Sequence, residues 1–178
     1  MSSLSRATAK FDPRRGAWHG GMTYDTEGAT MAQLVETVDV EVPVSEAYRG
    51  WQQFESFGDF LSFVDSVTKI DATHHHWVVT IAGATREFDT QIAEDIEDNR
   101  IAWTSVGGDV DHGGVVTFHR LSDDQSRVAV QIDWEPEGLL ENLGAGLSVP
   151  DHAVSSALND FKRHVESGTQ LPDADIQI

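Results

Sequence analysis

VDVEVPVSEAYRGWQQFESFGDFL, residues 38–61, contains the change of period that decides the fold. Val38, Val40 and Val42 alternate with Asp39 and Glu41, the two-residue repeat of a strand with one apolar and one acidic face. Pro43 ends that ladder, since it has no N–H to donate. Ser45 is the expected helix N-cap, with Glu46 in the first turn, and Ala47, Tyr48, Trp51 and Phe54 then recur at helical spacing. Phe57, Phe60, Leu61 and Val64 continue as a second short helix, with Gly58 expected at the break between the two.

Downstream, period two returns and persists. Strands are expected over residues 67–72, 76–82, 86–96, 100–106, 113–121 and 127–135, joined by Gly83, Asp98-Asn99 and a polar turn at 122–125. Connections this short exclude parallel pairing, which needs a long crossover, so the sheet is an antiparallel meander. Leu139, Leu140, Leu143 and Leu147 mark a short apolar helical piece. Val154, Ala157, Leu158, Phe161 and Val165 then define a long amphipathic helix with Pro150 in its first turn and Gly168 as its stop. The expectation is an α+β fold: a curved antiparallel sheet of six to seven strands wrapped around a long C-terminal helix, with two short helices after the first strand closing one end. Residues 33–168 form this domain, between a flexible N-terminal tail at 1–32 and a C-terminal tail at 169–178.

Charge divides along the same boundary. The first 32 residues hold four basic and three acidic side chains; the remaining 146 hold eight basic and 27 acidic. A net charge of −18 argues against nucleic acid and anionic membrane surfaces as partners. With no cysteine, disulfides, thiolate catalysis and Cys-based metal sites are excluded. Neither a signal-like apolar opening nor an 18-residue apolar run is present, so a cytoplasmic protein without integral membrane association is expected. Aspartate supplies 18 of the 30 acids, a bias that fits a salt-rich cytoplasm or a solubility device.

The order of these segments resembles the SRPBCC superfamily, the START and birch-pollen-allergen-like helix-grip group, in particular its polyketide cyclase/dehydrase and coenzyme-Q-binding-like branch. The resemblance rests on the quoted 38–61 segment, HWVVTIAGATREFDTQI at 76–92, RIAWTS at 100–105, GVVTFHRL at 114–121, VAVQIDWEPEGLLENLG at 128–144 and the last helix, and it spans residues 33–168. Members share a shape but not a function. Some bind lipids, sterols, quinones or plant metabolites, some cyclise aromatic polyketides, and some hold client proteins. The resemblance implies a cavity between sheet and long helix. Candidates for its lining are Trp51, Phe54, Phe57 and Phe60 from the short helices, and Trp77, Phe88, Trp103, Phe118 and Trp134 from the strands, with Leu158 and Phe161 from the long helix. Arg120, on the face of Val116 and Phe118, is a candidate polar group at the cavity end.

Two polar motifs stand apart. His74-His75-His76 places alternate imidazoles on one side of a strand, but no third ligand has fixed spacing and the cluster falls where a turn is expected, so solvated histidines and no metal are the reading. Residues 107–114 hold Asp-x-Asp between glycines without the spacing of a calcium loop, and are read as a hairpin loop at the mouth of the grip. His119 and Asp133 fall on faces opposite the apolar set, and no nucleophile, base and acid occur at defined spacing. The expected function is cofactor-free binding of a small hydrophobic ligand such as a lipid, quinone or aromatic polyketide-like molecule. A cyclase/aromatase or dehydrase using the same cavity, and a stress-related interaction protein with a filled core, are the alternatives. Oligomeric state is not encoded in these patterns.

Overall fold

The structure, a computed structural model, describes residues 10–12, 17–19, 32–81, 83–109, 111–134 and 149–168. The helical piece expected at 139–147 and the tail at 169–178 lie outside the described residues. Within the segment expected as a tail, β1 (Lys10–Asp12) and β2 (Ala17–His19) pair antiparallel as a separate two-stranded sheet. The main elements are β3 (Ala32–Val40), α1 (Val44–Gln52), a 3₁₀ turn (Phe54–Ser56), α2 (Phe57–Phe60), β4 (Val64–Lys69), β5 (His74–Ile81), β6 (Ala84–Ile96), β7 (Arg100–Gly108), β8 (His112–Arg120), β9 (Ser126–Trp134) and α3 (Val149–Gly168).

All of β3 to β9 join one antiparallel sheet in the order β3-β9-β8-β7-β6-β5-β4, so the meander from β4 to β9 ends beside the first strand. Curvature comes from irregular pairing. The β6–β7 pairing slips at Asp89/Thr90, where β7 holds the extra residue, and at Ile92/Glu94, where β6 holds it, and β4 has a bulge against β5 at Val64/Ser66. Each extra residue bends its strand and tightens the local twist, which curls the sheet into a half-barrel around α3.

The concave face carries the core. Val40, Ile101, Val116, Phe118, Val128 and Val130 from the strands pack with Ala47 and Tyr48 of α1 and with Leu158, Phe161 and Val165 of α3. Gly50 allows α1 to approach α3, because a Cβ there would lie 2.7 Å from Val165 Cγ1. At the far side of α1, Tyr48 donates its hydroxyl to Asp95 Oδ1 at 2.5 Å, and Gln52 Nε2 reaches both groups. Burial, together with that carboxylate, pushes the Tyr48 phenol far above its ordinary pKa. α3 is tied to the β3 end by Lys162 Nζ on the Asp39 carbonyl (2.7 Å) and by Glu166 Oε1 accepting the Glu41 N–H (2.9 Å). Among the described residues no helix is long and apolar enough to cross a membrane.

Several expected boundaries move, each for a local reason. The N-cap is Pro43 and not Ser45: the Pro43 carbonyl accepts the N–H groups of Glu46 and Ala47, and no side chain caps the helix. The break between the short helices falls at Gln53, while Gly58 lies inside α2, where a Cβ would come 3.0 Å from the Asp65 carbonyl. Val64 opens β4 instead of closing a helix. The turn expected at the histidines is made earlier, by Asp71 Oδ1 accepting the N–H groups of Thr73 and His74 at 2.9 Å each. Those bonds hold the Asp71 carboxyl down at about 2, with the Thr73 amide the largest cause. All three histidines therefore belong to β5.

Candidate functional site

Between the curled sheet, the short helices and the first half of α3 lies a cavity of about 210 Å³. Its longest wall is the β5–β6 ladder. Inward-facing partners there are His75 opposite Thr90, Trp77 opposite Phe88, Val79 opposite Arg86 and Ile81 opposite Ala84. Successive rungs on one face are two residues, hence about 7 Å, apart. The second rung is aromatic on both sides, with the Trp77 and Phe88 rings stacked at 6.2 Å. Phe54, Phe57 and Leu61 close the end at the short helices; Trp103, Val130 and Ile132 form the opposite wall; Ala153, Val154, Ala157 and Leu158 of α3 complete it. Gly114 makes room for Trp103, since a Cβ there would meet the indole at 2.5 Å. An apolar cavity of roughly 150 Å³ suffices for benzene, so this one admits a larger body.

The polar groups on the wall are few. His75 is 6% exposed, packs 4.8 Å from the Phe54 ring, and its Nδ1 has no hydrogen-bond partner. Burial, reinforced by Lys69, lowers its pKa below the ordinary histidine value, so the ring is neutral at pH 7. Thr90, 2% exposed, accepts a hydrogen bond from Trp77 Nε1 at 2.9 Å. Arg86 donates to the neighbouring Thr85 carbonyl at 3.1 Å. His112 sets its ring edge-on to Phe88 at 4.6 Å, and its main-chain N–H donates to Ser105 Oγ.

The candidates from sequence divide into those on the wall and those beside it. Trp51, Phe54, Phe57, Trp77, Phe88, Trp103 and Leu158 surround the cavity. Phe60 instead packs on Phe57 and stacks on the His164 ring at 4.0 Å. Phe118 and Phe161 are core, meeting Trp51 at 6.4 and 5.0 Å. Arg120 is off the wall: it is exposed at the end of β8 and pairs with Asp123 in the following turn. For Trp134 the backbone closes β9, and its side chain lies outside the described residues. A period of two identifies the inward face of a strand but not how far along that face the cavity extends.

His75, Thr90, Arg86 and His112 were missed as wall residues. The signal for Thr90 and Arg86 was parity with Phe88 along β6, legible in the sequence, and that for His75 was parity with Trp77, which becomes readable once β5 starts at His74. The other two histidines of the cluster point away and pair with acids, His74 with Asp71 and His76 with Asp89. Among the described residues no group of three or more His, Asp or Glu is placed to hold a metal ion. Asp133, on the outer face, accepts from the Gln33 and Gln131 amides, and His119 is exposed beside Thr117. The glycine-rich loop is clasped to β6: the Asp109 N–H donates to the Glu87 carbonyl, and Asp109 Oδ2 accepts the Glu87 N–H.

Known proteins share this architecture. An uncharacterised 17.2 kDa protein of Streptomyces lincolnensis is 41% identical over 140 residues, covering 79% of this chain and 93% of that protein. The crystal structure of the Zhui aromatase/cyclase from Streptomyces sp. R1128 matches with a TM-score of 0.66 at 15% identity, over 80% of this chain and 98% of that one. A START superfamily protein from Mycobacterium smegmatis matches with a TM-score of 0.57 at 16% identity, over 76% of this chain and 95% of that one. At such identities the two structures speak for the fold alone. The sequence profile described as polyketide cyclase / dehydrase and lipid transport matches residues 40–162, from the end of β3 to the middle of α3, and the chain belongs to that family.

Proposed function

We propose that the protein binds one small, ring-containing apolar molecule in the cavity between β5–β6 and α3. The observation that carries this reading is the cavity itself: about 210 Å³, walled by Trp51, Phe54, Phe57, Trp77, Phe88 and Trp103. Ligand sites are concave and mostly apolar with a few placed polar groups, and a domain evolved for stability alone fills such a volume. The same volume argues against the filled-core alternative.

Titration of the purified chain with a solvatochromic apolar dye, alongside native mass spectrometry for co-purified compounds, tests the reading. The expected result is a single saturable dye site that Ala157→Trp, which fills the cavity from α3, removes while the thermal transition is kept. No saturable dye site and no co-purified apolar compound would sink the proposal. A second reading, ring closure of a polyketide-like precursor, is favoured by His75, Arg86 and His112 on the wall; proton transfer by positioned side chains is what such a reaction requires. Incubation with a poly-β-ketone thioester separates the two. Recovery of the compound with kinetics unchanged from buffer supports binding, whereas accelerated formation of the aromatic product supports catalysis.

A further inference from the structure

Building on the reading that the cavity takes an apolar ligand, we infer that the His75–Thr90 rung is a polar seat selecting ligands that carry an uncharged hydroxyl or carbonyl oxygen on an apolar ring body. The two residues are directly opposed on β5 and β6, both face the cavity, and both are more than nine-tenths buried. His75 Nδ1 has no partner. Buried polar atoms without partners are rare in folded proteins, and each one calls for a group that satisfies it. Thr90 Oγ1 is already an acceptor from Trp77 Nε1, which leaves its own hydrogen to donate.

A neutral imidazole carries one N–H and one bare nitrogen, so the tautomer adapts to the ligand. A hydroxyl donates to the bare nitrogen, and a carbonyl accepts from the N–H. The surroundings exclude a charged head at this rung. Phe54 lies against the imidazole and the Trp77–Phe88 rung comes next; Lys69, paired with His75 across β4 and β5, is exposed to solvent, and Arg86 sits two rungs from His75. A carboxylate at this rung would give up its hydration among aromatic rings in exchange for a solvated ammonium at the rim, whereas an uncharged oxygen loses far less. The ligand's oxygen is therefore directed toward the short helices, with its rings against Trp77 and Phe88.

Equilibrium dialysis of the full chain with naphthalene and 2-naphthol, a pair differing by one hydroxyl, tests the seat. The quantity read is the ratio of the naphthalene Kd to the 2-naphthol Kd. In His75→Phe, which keeps an aromatic ring and removes both nitrogens, this ratio should fall about 5- to 10-fold, the worth of one buried hydrogen bond. Thr90→Val should move the ratio in the same direction. In the wild-type chain, nitrogen NMR of labelled histidine should show the His75 ring signals shifting with 2-naphthol and not with naphthalene. Binding of both compounds with an unchanged ratio, or 2-naphthol bound without a His75 shift, overturns the seat and leaves the cavity reading standing. Failure of both compounds to bind wild type overturns the two together. Should His75→Phe not fold, the wild-type NMR comparison decides alone.

Discussion

His75 reaches the cavity wall with its ring held neutral by burial, and Lys69 and His74 act in the same direction while Glu55 and Asp71 oppose them. Its folded-state pKa lies below the value of about 6.5 for an exposed imidazole. As pH falls, the unfolded chain takes up a proton before the folded one does. The stability this group contributes is therefore complete above about pH 6.5 and is lost as pH falls through the folded pKa. Denaturant midpoints measured from about pH 7 down to about pH 5 should fall more steeply for wild type than for His75→Phe; parallel profiles would show that His75 does not titrate this way. The residue also shows where sequence reading stops. Three consecutive histidines give no parity by themselves, and parity was fixed by Asp71, whose carboxylate gathers the Thr73 and His74 amides and starts the strand at His74. Arg120 shows the converse. Its parity with Phe118 was legible, but β8 runs beyond the cavity before reaching it, and a nearby aspartate in the turn takes the guanidinium.

Among the elements, α3 is the one on which the concave face depends. Phe161 is 1% exposed and lies under Trp51 of α1, beside Gly50. Phe161→Ala should cost about 3–5 kcal/mol in a denaturant titration, as expected for an aromatic side chain deleted from a packed core; a loss below about 1 kcal/mol would mean that the helix is peripheral. The order of elements was legible in the sequence because several strands, such as β5, β6 and β9, alternate over most of their length and the turns between them are short and polar. The bulges were not. They leave the hydrophobic alternation of β6 intact through Ile92 and reveal themselves in the register with β7. The curl of the sheet, and hence the volume of the cavity, rests on features that a period-two pattern does not record. Short-helix boundaries slipped for a related reason: backbone carbonyls, not the side chain of Ser45, satisfy the first turn of α1.

At the scale of the whole molecule, the sequence carries a net charge of −18, and among the described residues most acids are exposed while the concave face of the sheet is apolar. Only part of it is neutralised locally, as where Arg127 grips Asp39 through two nitrogens. Added monovalent salt shortens the Debye length from about 10 Å at 0.1 M to about 3 Å at 1 M. Scanning calorimetry across that range should show Tm rising with salt, by about 2–4 °C for each kcal/mol of repulsion relieved; a Tm independent of salt would detach the acidity from any high-salt adaptation. The charge was legible from the first count of residues. The cavity was not, because composition cannot tell a filled core from a hollow one. One further property follows from a sheet that curls without closing. Its outermost strands, β3 and β4, are the places where a foreign backbone would add on. The Val64/Ser66 bulge interrupts the even spacing of β4 next to the charge of Asp65, while α3 occupies main-chain groups at the β3 end through Lys162 and Glu166. An interrupted, charged margin at β4 and a β3 end already engaged by α3 both work against the addition of a foreign strand at those points.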